Sequence, residues 1–361
     1  MSEMITFAQA RNDTCEISPA PILDRLAGRA QEHYFAPAAP MSLDVVAIDG
    51  ADAGRRFEFE RGLTCSAIEF TPSLSRAALE SPVFGPPSRS ATLRLPTTAL
   101  DWLFAHPHEI DLRSAAFAAA CRGQLAIEGD AFVVDYWLQL LKRPTARTLA
   151  ALEEARALAP RTPRTLDVFF GGPLDGPAAT RSVERAILRR LPCLLRHCVE
   201  PLDASWHQAF ETASLNSYTG GIAAPALRDA VAWPTLPEAA MSGAQLWAGR
   251  STTGVELTRL HCDPATSLLA QLAGHKYVLL FSPQEYDRLY PIGAFNGFQP
   301  CRVNPRRPDL ARFPAFEQAH GLLATLAPGD LLVIPTGWFH TTWASEAVAS
   351  LSRFVDDDLL F

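Results

Sequence analysis

The sequence contains no uninterrupted apolar run of the roughly 18 residues that a membrane-spanning helix needs. Its first residues, Met1 to Cys15, lack the basic start and the following apolar stretch of a secretory signal. A basic excess is also missing, because the formal net charge is −7, and this argues against general binding of nucleic-acid phosphates. We therefore expect a cytoplasmic protein with no membrane span and no nucleic-acid partner.

Paired cysteines are absent as well. The chain has seven cysteines, and no two of them form a CxxC pair. Scattered cysteines in odd number are not typical of a disulfide framework or of a zinc site, so we interpret them as free thiols in a reducing cytosol. They are Cys15, Cys65, Cys121, Cys193, Cys198, Cys262 and Cys301.

Lysine is the scarcest of the charged side chains. Of the 32 basic residues, only Lys142 and Lys276 are lysines. Codon bias in a GC-rich host is a sufficient explanation for the excess of arginine. A lysine that persists against this bias is nevertheless a candidate for a specific role, because a compact ammonium and a planar guanidinium are not interchangeable.

The rest of the composition is that of an ordinary folded protein. The chain has 361 residues, of which 48% are hydrophobic and 20% charged, and this predicts two or three domains with substantial cores. Residues 1–145 have an α+β pattern. The predicted helices are Pro19–Glu32, Thr98–Ala105, Asp111–Cys121 and Phe132–Leu141, and the predicted strands are Leu43–Ile48, Arg56–Glu60, Ala91–Leu95 and Gly123–Gly129.

The later part of this α+β region resembles a known family. The stretch ATLRLPTTALDWLFAHPHEIDLRSAAFAAACRGQLAIEGDAFVVDYWLQLLKRP is similar to the C-terminal half of a sterol-carrier-protein-like domain, in the order of its elements and in RGQLAIEGD followed by an apolar helix. The resemblance covers roughly residues 30–145 and implies an apolar tunnel that holds a lipid or another apolar group. The alternative is a small α+β domain that only packs against its neighbour.

Residues 146–179 are predicted to be a linker, because a helix over Thr148–Leu158 precedes a stretch rich in proline and glycine. Residues 180–361 are β-rich, and many short strands separated by turns predict a sandwich or a small barrel. After a helix over Thr180–Arg190, the predicted strands are Pro192–Cys198, Ala244–Gly249, Glu256–His261, Ser267–Gln271, Lys276–Phe281, Leu322–Leu326, Asp330–Ile334, His340–Ala344 and Ala349–Phe354.

Two short motifs in the β-rich region carry metal-ligating side chains. His261 and Asp263 are two residues apart, so on an extended chain their side chains share a face. His340 follows a buried strand and a Pro-Thr-Gly turn. Taken singly, a His-x-Asp pair occurs often by chance, and a histidine beside two aromatic residues is usually a packed core residue. Together, two histidines and one carboxylate on neighbouring strands are the facial triad of non-haem Fe(II) oxygenases.

The same region resembles a second family. The stretches AQLWAGRSTTGVELTRLHCDPATSLLAQLAGHKYVLLFSPQEYDRLYP, RFPAF and LAPGDLLVIPTGWFHTTWA are similar to the JmjC-type, cupin-fold 2-oxoglutarate oxygenases, especially the branch of the hypoxia-inducible-factor asparaginyl hydroxylase. The resemblance implies a double-stranded β-helix over residues 180–361. It also implies Fe(II) held by His261, Asp263 and His340, with 2-oxoglutarate and O2 as co-substrates.

The resemblance further implies residues that hold 2-oxoglutarate. Lys276, in GHKYVLLF, matches a lysine that pairs with the distal carboxylate, and an ammonium in a mostly apolar barrel needs an anionic partner. Thr258 matches a threonine that contacts the same carboxylate. Strict alternation puts Thr258 and His261 on opposite faces, so this role requires a bulge between them. Ser267 stands where the family has an asparagine and still offers a hydrogen bond.

Arg353 also stands where the family has an asparagine, on the last strand. If its side chain points inward, it adds a second cation near the co-substrate, and we include it among the candidate co-substrate ligands on that basis. If it points outward, we expect it to pair with Asp356 or Asp357.

The function implied by these residues is hydroxylation of a C–H bond, with a peptide or protein side chain as the substrate in this branch. Four alternatives stay open. Two of them keep the enzyme: the substrate is an apolar or acylated small molecule presented by the N-terminal domain, or the reaction is a demethylation. The other two do not: the cupin domain binds a ligand without catalysis, or the protein is a lipid carrier whose cupin domain is accessory.

Overall fold

The computed structural model divides the chain into two compact units, Met1–Lys142 and Arg143–Phe361. The residues that it describes are 19–35, 37, 40–49, 53–60, 65–70, 89–111, 114–170, 172–201, 219–224, 229–249, 257–293, 295 and 297–360.

The first unit is an α+β domain, as predicted. Its sheet has the strand order β3-β2-β1-β4-β5, in which β1 and β4 are parallel and the other neighbours are antiparallel. The predicted strands Leu43–Ile48 and Arg56–Glu60 correspond to β1 and β2, which pair antiparallel. The elements are α1 (Pro19–Glu32), β1 (Met41–Ala47), β2 (Gly54–Phe59), β3 (Ser66–Phe70), β4 (Arg89–Leu95), α2 (Thr97–Ala105), α3 (Ala115–Cys121), β5 (Ala126–Gly129) and α4 (Ala131–Leu141).

Aromatic side chains form much of the core of this unit. The ring of Phe57 on β2 lies 5.4 Å from that of Trp137 on α4, and the ring of Phe59 lies 5.1 Å from that of Tyr136. Phe57, Phe59 and Trp137 are fully buried. Helix α4 is therefore apolar because it packs against the sheet. Aromatic contacts of this kind add to the stabilisation that the burial of apolar surface gives.

The second unit is dominated by β-strands. None of the helices in the described part of the chain is long and apolar enough to cross a membrane. The elements are α5 (Ala146–Leu158), β6 (Asp167–Phe170), α6 (Pro177–Arg189), β7 (Cys193–Arg196), β8 (Thr219–Ala223), β9 (Gln245–Gly249), β10 (Thr258–Cys262), β11 (Thr266–Ala273), β12 (Lys276–Phe281), α7 (Tyr286–Leu289), β13 (Gln299–Pro300), β14 (Gly321–Leu326), β15 (Leu331–Ile334), β16 (Phe339–Trp343) and β17 (Val348–Val355).

These strands form two sheets that pack against each other. The larger sheet has the order β6-β7-β15-β11-β17-β9-β8, and the smaller has the order β13-β10-β16-β12-β14. Strands β9 to β12 alternate between the two sheets along the chain, and so do β14 to β17. Leu269 and Ile334 of the larger sheet pack against Val278 and Leu280 of the smaller in one buried cluster. The sandwich predicted for the C-terminal region is therefore present.

Residues 146–179 are not the linker that the sequence suggests. Strand β6 pairs in parallel with β7 and forms one edge of the larger sheet. Helix α5 begins after Thr145, whose hydroxyl accepts a hydrogen bond from the backbone N–H of Thr148. Both elements lie in the second compact unit. Just before helix α6, the N–H of Gly176 donates to the carbonyl of Pro173 at 2.9 Å, and Pro177 is the first residue of that helix.

Gly337 lies at a close approach between helix α5 and the turn before β16. Its φ is +77°, and a Cβ added there would lie 2.5 Å from Cβ of Ala155. We expect Gly337→Ala to lower the free energy of unfolding by about 2–5 kcal/mol, because the left-handed backbone and the overlap both cost energy. Ala155 cannot relieve the overlap by rotating its side chain. Denaturant unfolding measures the loss.

The matched control is Gly297→Ala. Gly297 also has a positive φ, +102°, and no described heavy atom lies within 4 Å of its added Cβ. This variant has the backbone cost without the overlap, so its loss is expected to be smaller. Equal losses for the two variants would show that the contact between α5 and the turn is not tight.

Candidate metal centre

Two histidines face each other across neighbouring strands of the smaller sheet. His261 on β10 is paired in register with His340 on β16, and the ring centroids are 4.3 Å apart. His340 is buried, and His261 is half-buried. The antiparallel pairing of β10 and β16 thus brings together two side chains that are 79 residues apart in the sequence.

Asp263 completes the cluster from the residue that follows Cys262, the last residue of β10. Its backbone carbonyl accepts a hydrogen bond of 2.8 Å from the N–H of Gly337, which belongs to the turn before β16. Its Oδ2 lies 3.7 Å from Nε2 of His340. One ligand atom from each of the three residues lies within 4.8 Å of the others.

The hydrogen bonds of the two imidazoles set their tautomers. Nδ1 of His261 lies 2.6 Å from the carbonyl oxygen of Arg259, and Nδ1 of His340 lies 3.0 Å from that of Trp338. A carbonyl can only accept a hydrogen bond, so Nδ1 must carry the proton in each ring. The lone pair on Nε2 is then left to face the cluster, which is the arrangement of histidines that bind metal ions.

Burial favours the neutral forms of Asp263 and His340 in the absence of an ion. Burial raises the pKa of Asp263, although the nearby His261 partly opposes the shift. Burial also lowers the pKa of His340 to about 3, and the proximity of His261 acts in the same direction. A neutral imidazole is the form that binds a metal, and a cation at this point would stabilise the carboxylate. The donor set therefore fits a divalent cation.

The identity of the three donor atoms fits Fe(II). Two imidazole nitrogens and one carboxylate oxygen are the ligand atoms that the three residues bring together. This donor set is the one that non-haem Fe(II) oxygenases use.

Lys276 is the buried cation of the same pocket. It begins β12, its side chain is 1% exposed, and burial lowers its pKa to about 7. Its Nζ donates a hydrogen bond to Oγ of Ser350. Ser350 donates in turn to Oε1 of Gln271, at 2.7 Å, and Nε2 of Gln271 donates to two carbonyls at the turn that precedes β12. This fixed chain of polar groups holds the ammonium in place.

Thr258 and Ser267 line the pocket with Lys276, His261 and Asp263. The pairing of β10 with β16 shifts register between Thr258 and His261, which is the irregularity that the sequence required for both side chains to face inward. The hydroxyl of Thr258 lies 3.0 Å from that of Thr342.

Arg353 does not reach the pocket, and its prediction as a co-substrate ligand is wrong. Side chains alternate along β17, so Arg353 lies on the face opposite Ser352 and Phe354, which line the pocket. Its Nε donates to the carbonyl of Ser242, and a second guanidinium nitrogen donates to Glu238, both at 2.7 Å. The alternative partners, Asp356 and Asp357, were also wrong.

Several lining residues were missed by the sequence reasoning. One of them is Trp247, whose indole N–H donates at 2.7 Å to the hydroxyl of Ser352 at the pocket wall. Alternation along β17 was an available signal, since it places Ser350, Ser352 and Phe354 on one face. The remaining members of the wall are Leu269, Ile334 and Thr342.

A larger cleft adjoins the metal-ligand pocket. Its volume is about 380 Å³, and Phe354 lines both spaces. Pro264, which follows Asp263, also lines the cleft. The cleft contains the charged residues Arg147, Glu154, Arg190, Asp356, Asp357 and Asp358. A molecule in this cleft would meet both charged and apolar side chains, and it would contact Phe354, which also lines the metal-ligand pocket.

Comparison with known families gives a match to the second unit. The model of the cupin-like domain matches residues 183–354. This range contains both sheets except β6 and part of the final strand. The C-terminal region is thus a cupin-like domain, in agreement with the fold class expected from the sequence.

Comparison with curated proteins gives relatives that match the chain over about a quarter of its length. Lysine-specific demethylase 8 of Xenopus tropicalis is 35% identical over 106 residues, 29% of this chain and 23% of the relative. The human tRNA wybutosine-synthesizing protein 5 is 38% identical over 104 residues, 29% of this chain and 31% of the relative. JmjC domain-containing protein D of Dictyostelium discoideum is 36% identical over 95 residues, 26% of this chain and 20% of the relative. The chain thus spans less than a third of the length of each of these relatives.

Proposed function

We propose that this chain, whose residues 183–354 form a cupin-like domain, is an Fe(II)- and 2-oxoglutarate-dependent oxygenase that hydroxylates a C–H bond. The observation that carries the proposal is the convergence of His261, Asp263 and His340 beside a buried lysine in one pocket. A metal site alone is compatible with many functions. A buried ammonium beside it offers a partner for an anionic co-substrate as well.

The roles of the residues follow from their positions. His261, Asp263 and His340 would hold the iron. When bound, Fe(II) with 2-oxoglutarate supplies the power to oxidise a C–H bond with O2, while 2-oxoglutarate is converted to succinate and CO2. The protein contributes binding, orientation and the exclusion of water.

Lys276 is proposed to anchor the distal carboxylate of 2-oxoglutarate. A buried ammonium is costly unless an anion compensates it, and the pocket that Lys276 lines offers a place for such an anion beside the metal ligands. Thr258 and Ser267 line the same pocket and are proposed to donate hydrogen bonds to the co-substrate. Leu269 and Ile334 keep this part of the pocket apolar, which strengthens the charge pairing.

A peptide or protein side chain is the proposed substrate. The cleft of about 380 Å³ that shares Phe354 with the metal-ligand pocket is large enough to receive a side chain with its flanking backbone. The name of one relative refers to lysine and that of another to tRNA, so RNA is the alternative. The net charge of −7 favours the peptide over RNA. The cupin-domain match does not include residues 30–145, so the resemblance of that region to sterol carrier proteins, and an apolar ligand there, stay predictions.

The test is succinate formation by the purified protein with Fe(II), 2-oxoglutarate and air. We expect slow formation without a prime substrate and faster formation with a peptide library than with bulk tRNA. Faster turnover with tRNA than with the peptide library would show that the substrate is RNA and not a peptide. A protein that binds Fe(II) but forms no succinate in any arm would contradict the oxygenase and favour a cupin that only binds.

The pKa of Lys276 predicts a pH dependence for co-substrate binding. Below about pH 7 the ammonium is present before binding, and above it the amine must take up a proton when the carboxylate binds. We therefore expect the Kd of 2-oxoglutarate for the Mn(II)-loaded protein to rise about tenfold between pH 7.5 and 8.5, since one pH unit corresponds to about 1.4 kcal/mol. Calorimetry in two buffers of different ionisation enthalpy measures the Kd and the proton uptake. A Kd that stays constant between these pH values would contradict a lysine anchor with this pKa.

A further inference from the structure

A single carboxylate oxygen connects the two loops that carry the metal ligands. Oδ2 of Asp357, in the 3-10 turn after β17, accepts hydrogen bonds from the hydroxyls of Thr336, at 2.8 Å, and Thr266, at 3.1 Å. Thr266 is the first residue of β11, three residues after Asp263. Thr336 lies in the turn that leads to His340. The backbone N–H of Thr336 also lies 3.3 Å from the hydroxyl of Thr266.

The backbone next to Thr336 connects these hydrogen bonds to the metal ligands Asp263 and His340. The N–H of Gly337, next to Thr336, donates to the carbonyl of Asp263 at 2.8 Å. Trp338, the following residue, provides the carbonyl that orients the imidazole of His340. The position of the turn therefore decides both where Asp263 is held and how His340 is oriented.

Fold stability alone does not account for a carboxylate at this place. The side chain is half-buried, and its other oxygen, Oδ1, is buried without a hydrogen-bond partner among the described residues. A buried acceptor without a partner costs about 1–3 kcal/mol. Native structures keep few such groups, and those they keep have an explanation. The two charge-assisted bonds of Oδ2 to the ligand-bearing loops are such an explanation.

We propose that Asp357 is a positioning residue that holds Asp263 and His340 at the spacing a metal ion requires. It touches neither the metal nor a substrate and acts through Thr336 and Thr266. The inference depends on the metal centre of the proposed function and on no particular substrate. It assigns a role to a residue outside the triad and the co-substrate pocket.

The test is the affinity of the purified protein for Co(II), measured by the visible absorption of the bound ion. We expect Asp357→Ala to weaken Co(II) binding by about 10- to 100-fold, the usual effect of losing a group that orients metal ligands. Asp357→Asn keeps a carbonyl oxygen that can accept both hydroxyl protons, so we expect it to restore the affinity to within about threefold of wild type. Asp358→Ala is the matched control. Asp358 is exposed and pairs at 3.7 Å with Arg147, so its loss should leave the affinity unchanged.

The unfolding temperature of the metal-free variants separates positioning from general stabilisation. A merely structural Asp357 would lower that temperature and leave the Kd for Co(II) within twofold of wild type, which would overturn the inference. If Asp357→Ala does not fold, Thr336→Val tests the same contact, because it removes one donor and keeps the carboxylate. A wild-type protein that does not bind Co(II) would overturn the metal centre itself and the inference with it.

Discussion

His261→Ala is expected to abolish both metal binding and succinate formation. The substitution removes one of three donors, and the other two cannot take its place because each is already held, Asp263 by the N–H of Gly337 at its carbonyl and His340 by the carbonyl of Trp338 at its Nδ1. Loss of a group that only orients a ligand costs about 10- to 100-fold in affinity, so loss of a ligand should cost at least about 100-fold. Co(II) titration and a succinate assay measure the two effects on the same preparation.

The matched control for this prediction is His275→Ala. His275 is exposed, lies next to Lys276 in the sequence, and pairs with Glu346 at 2.8 Å. We expect this variant to bind Co(II) and form succinate as the wild type does. If His261→Ala kept its metal and its turnover, the ligand assignment would be wrong whatever the control did.

Lys276→Met is expected to keep the metal and lose the co-substrate. Methionine is apolar and has a length similar to that of lysine, so it fills the buried space without a charge. Truncating one partner of a buried charge pair costs about 2–5 kcal/mol, which corresponds to about a 30- to 4,000-fold rise in the Kd of 2-oxoglutarate. Calorimetry on the Mn(II)-loaded protein measures this Kd.

The same variant should not destabilise the protein that lacks the co-substrate. Burial of the Lys276 ammonium is costly, since desolvation lowers its pKa, so its replacement by an apolar side chain of similar size is expected to be neutral or stabilising. Lys142→Met, a substitution of the other lysine in the first compact unit, should leave the Kd unchanged. A Lys276→Met protein that binds 2-oxoglutarate as tightly as wild type would show that the carboxylate is anchored elsewhere.

The residues that face one another across β10 and β16 were the part of the site that the sequence could predict. The alternation of a strand places His261 and Asp263 together, and the Pro-Thr-Gly turn marks the start of the strand that carries His340. The bulge after Thr258 was predictable as well, because two inward side chains three residues apart require one.

Arg353 was mispredicted because one family position was given more weight than the alternation of its strand. Ser350, Ser352 and Phe354 share one face of β17, and Arg353 therefore belongs to the other. Its partner Glu238 lies 115 residues away in the sequence, and no local pattern indicates such a pairing.

The supporting polar contacts could not be predicted for a related reason. Gln271 and Ser350 hold Lys276 through hydrogen bonds that join residues 79 and 74 positions apart. Asp357 joins two loops at separations of 21 and 91 residues. Such contacts form only when the two sheets pack together, and the spacing of residues along the chain does not indicate them. The strand β6 was missed because the proline- and glycine-rich residues around it are typical of a linker.

The most direct test of a metal-dependent anion site is an anaerobic calorimetric titration of the wild-type protein, first with Fe(II) and then with 2-oxoglutarate. We expect one Fe(II) per chain, followed by one 2-oxoglutarate whose binding is much weaker in protein that has no metal. Binding of 2-oxoglutarate with the same affinity in the presence and absence of Fe(II), or no stoichiometric Fe(II) at all, would contradict a shared site built from His261, Asp263, His340 and Lys276.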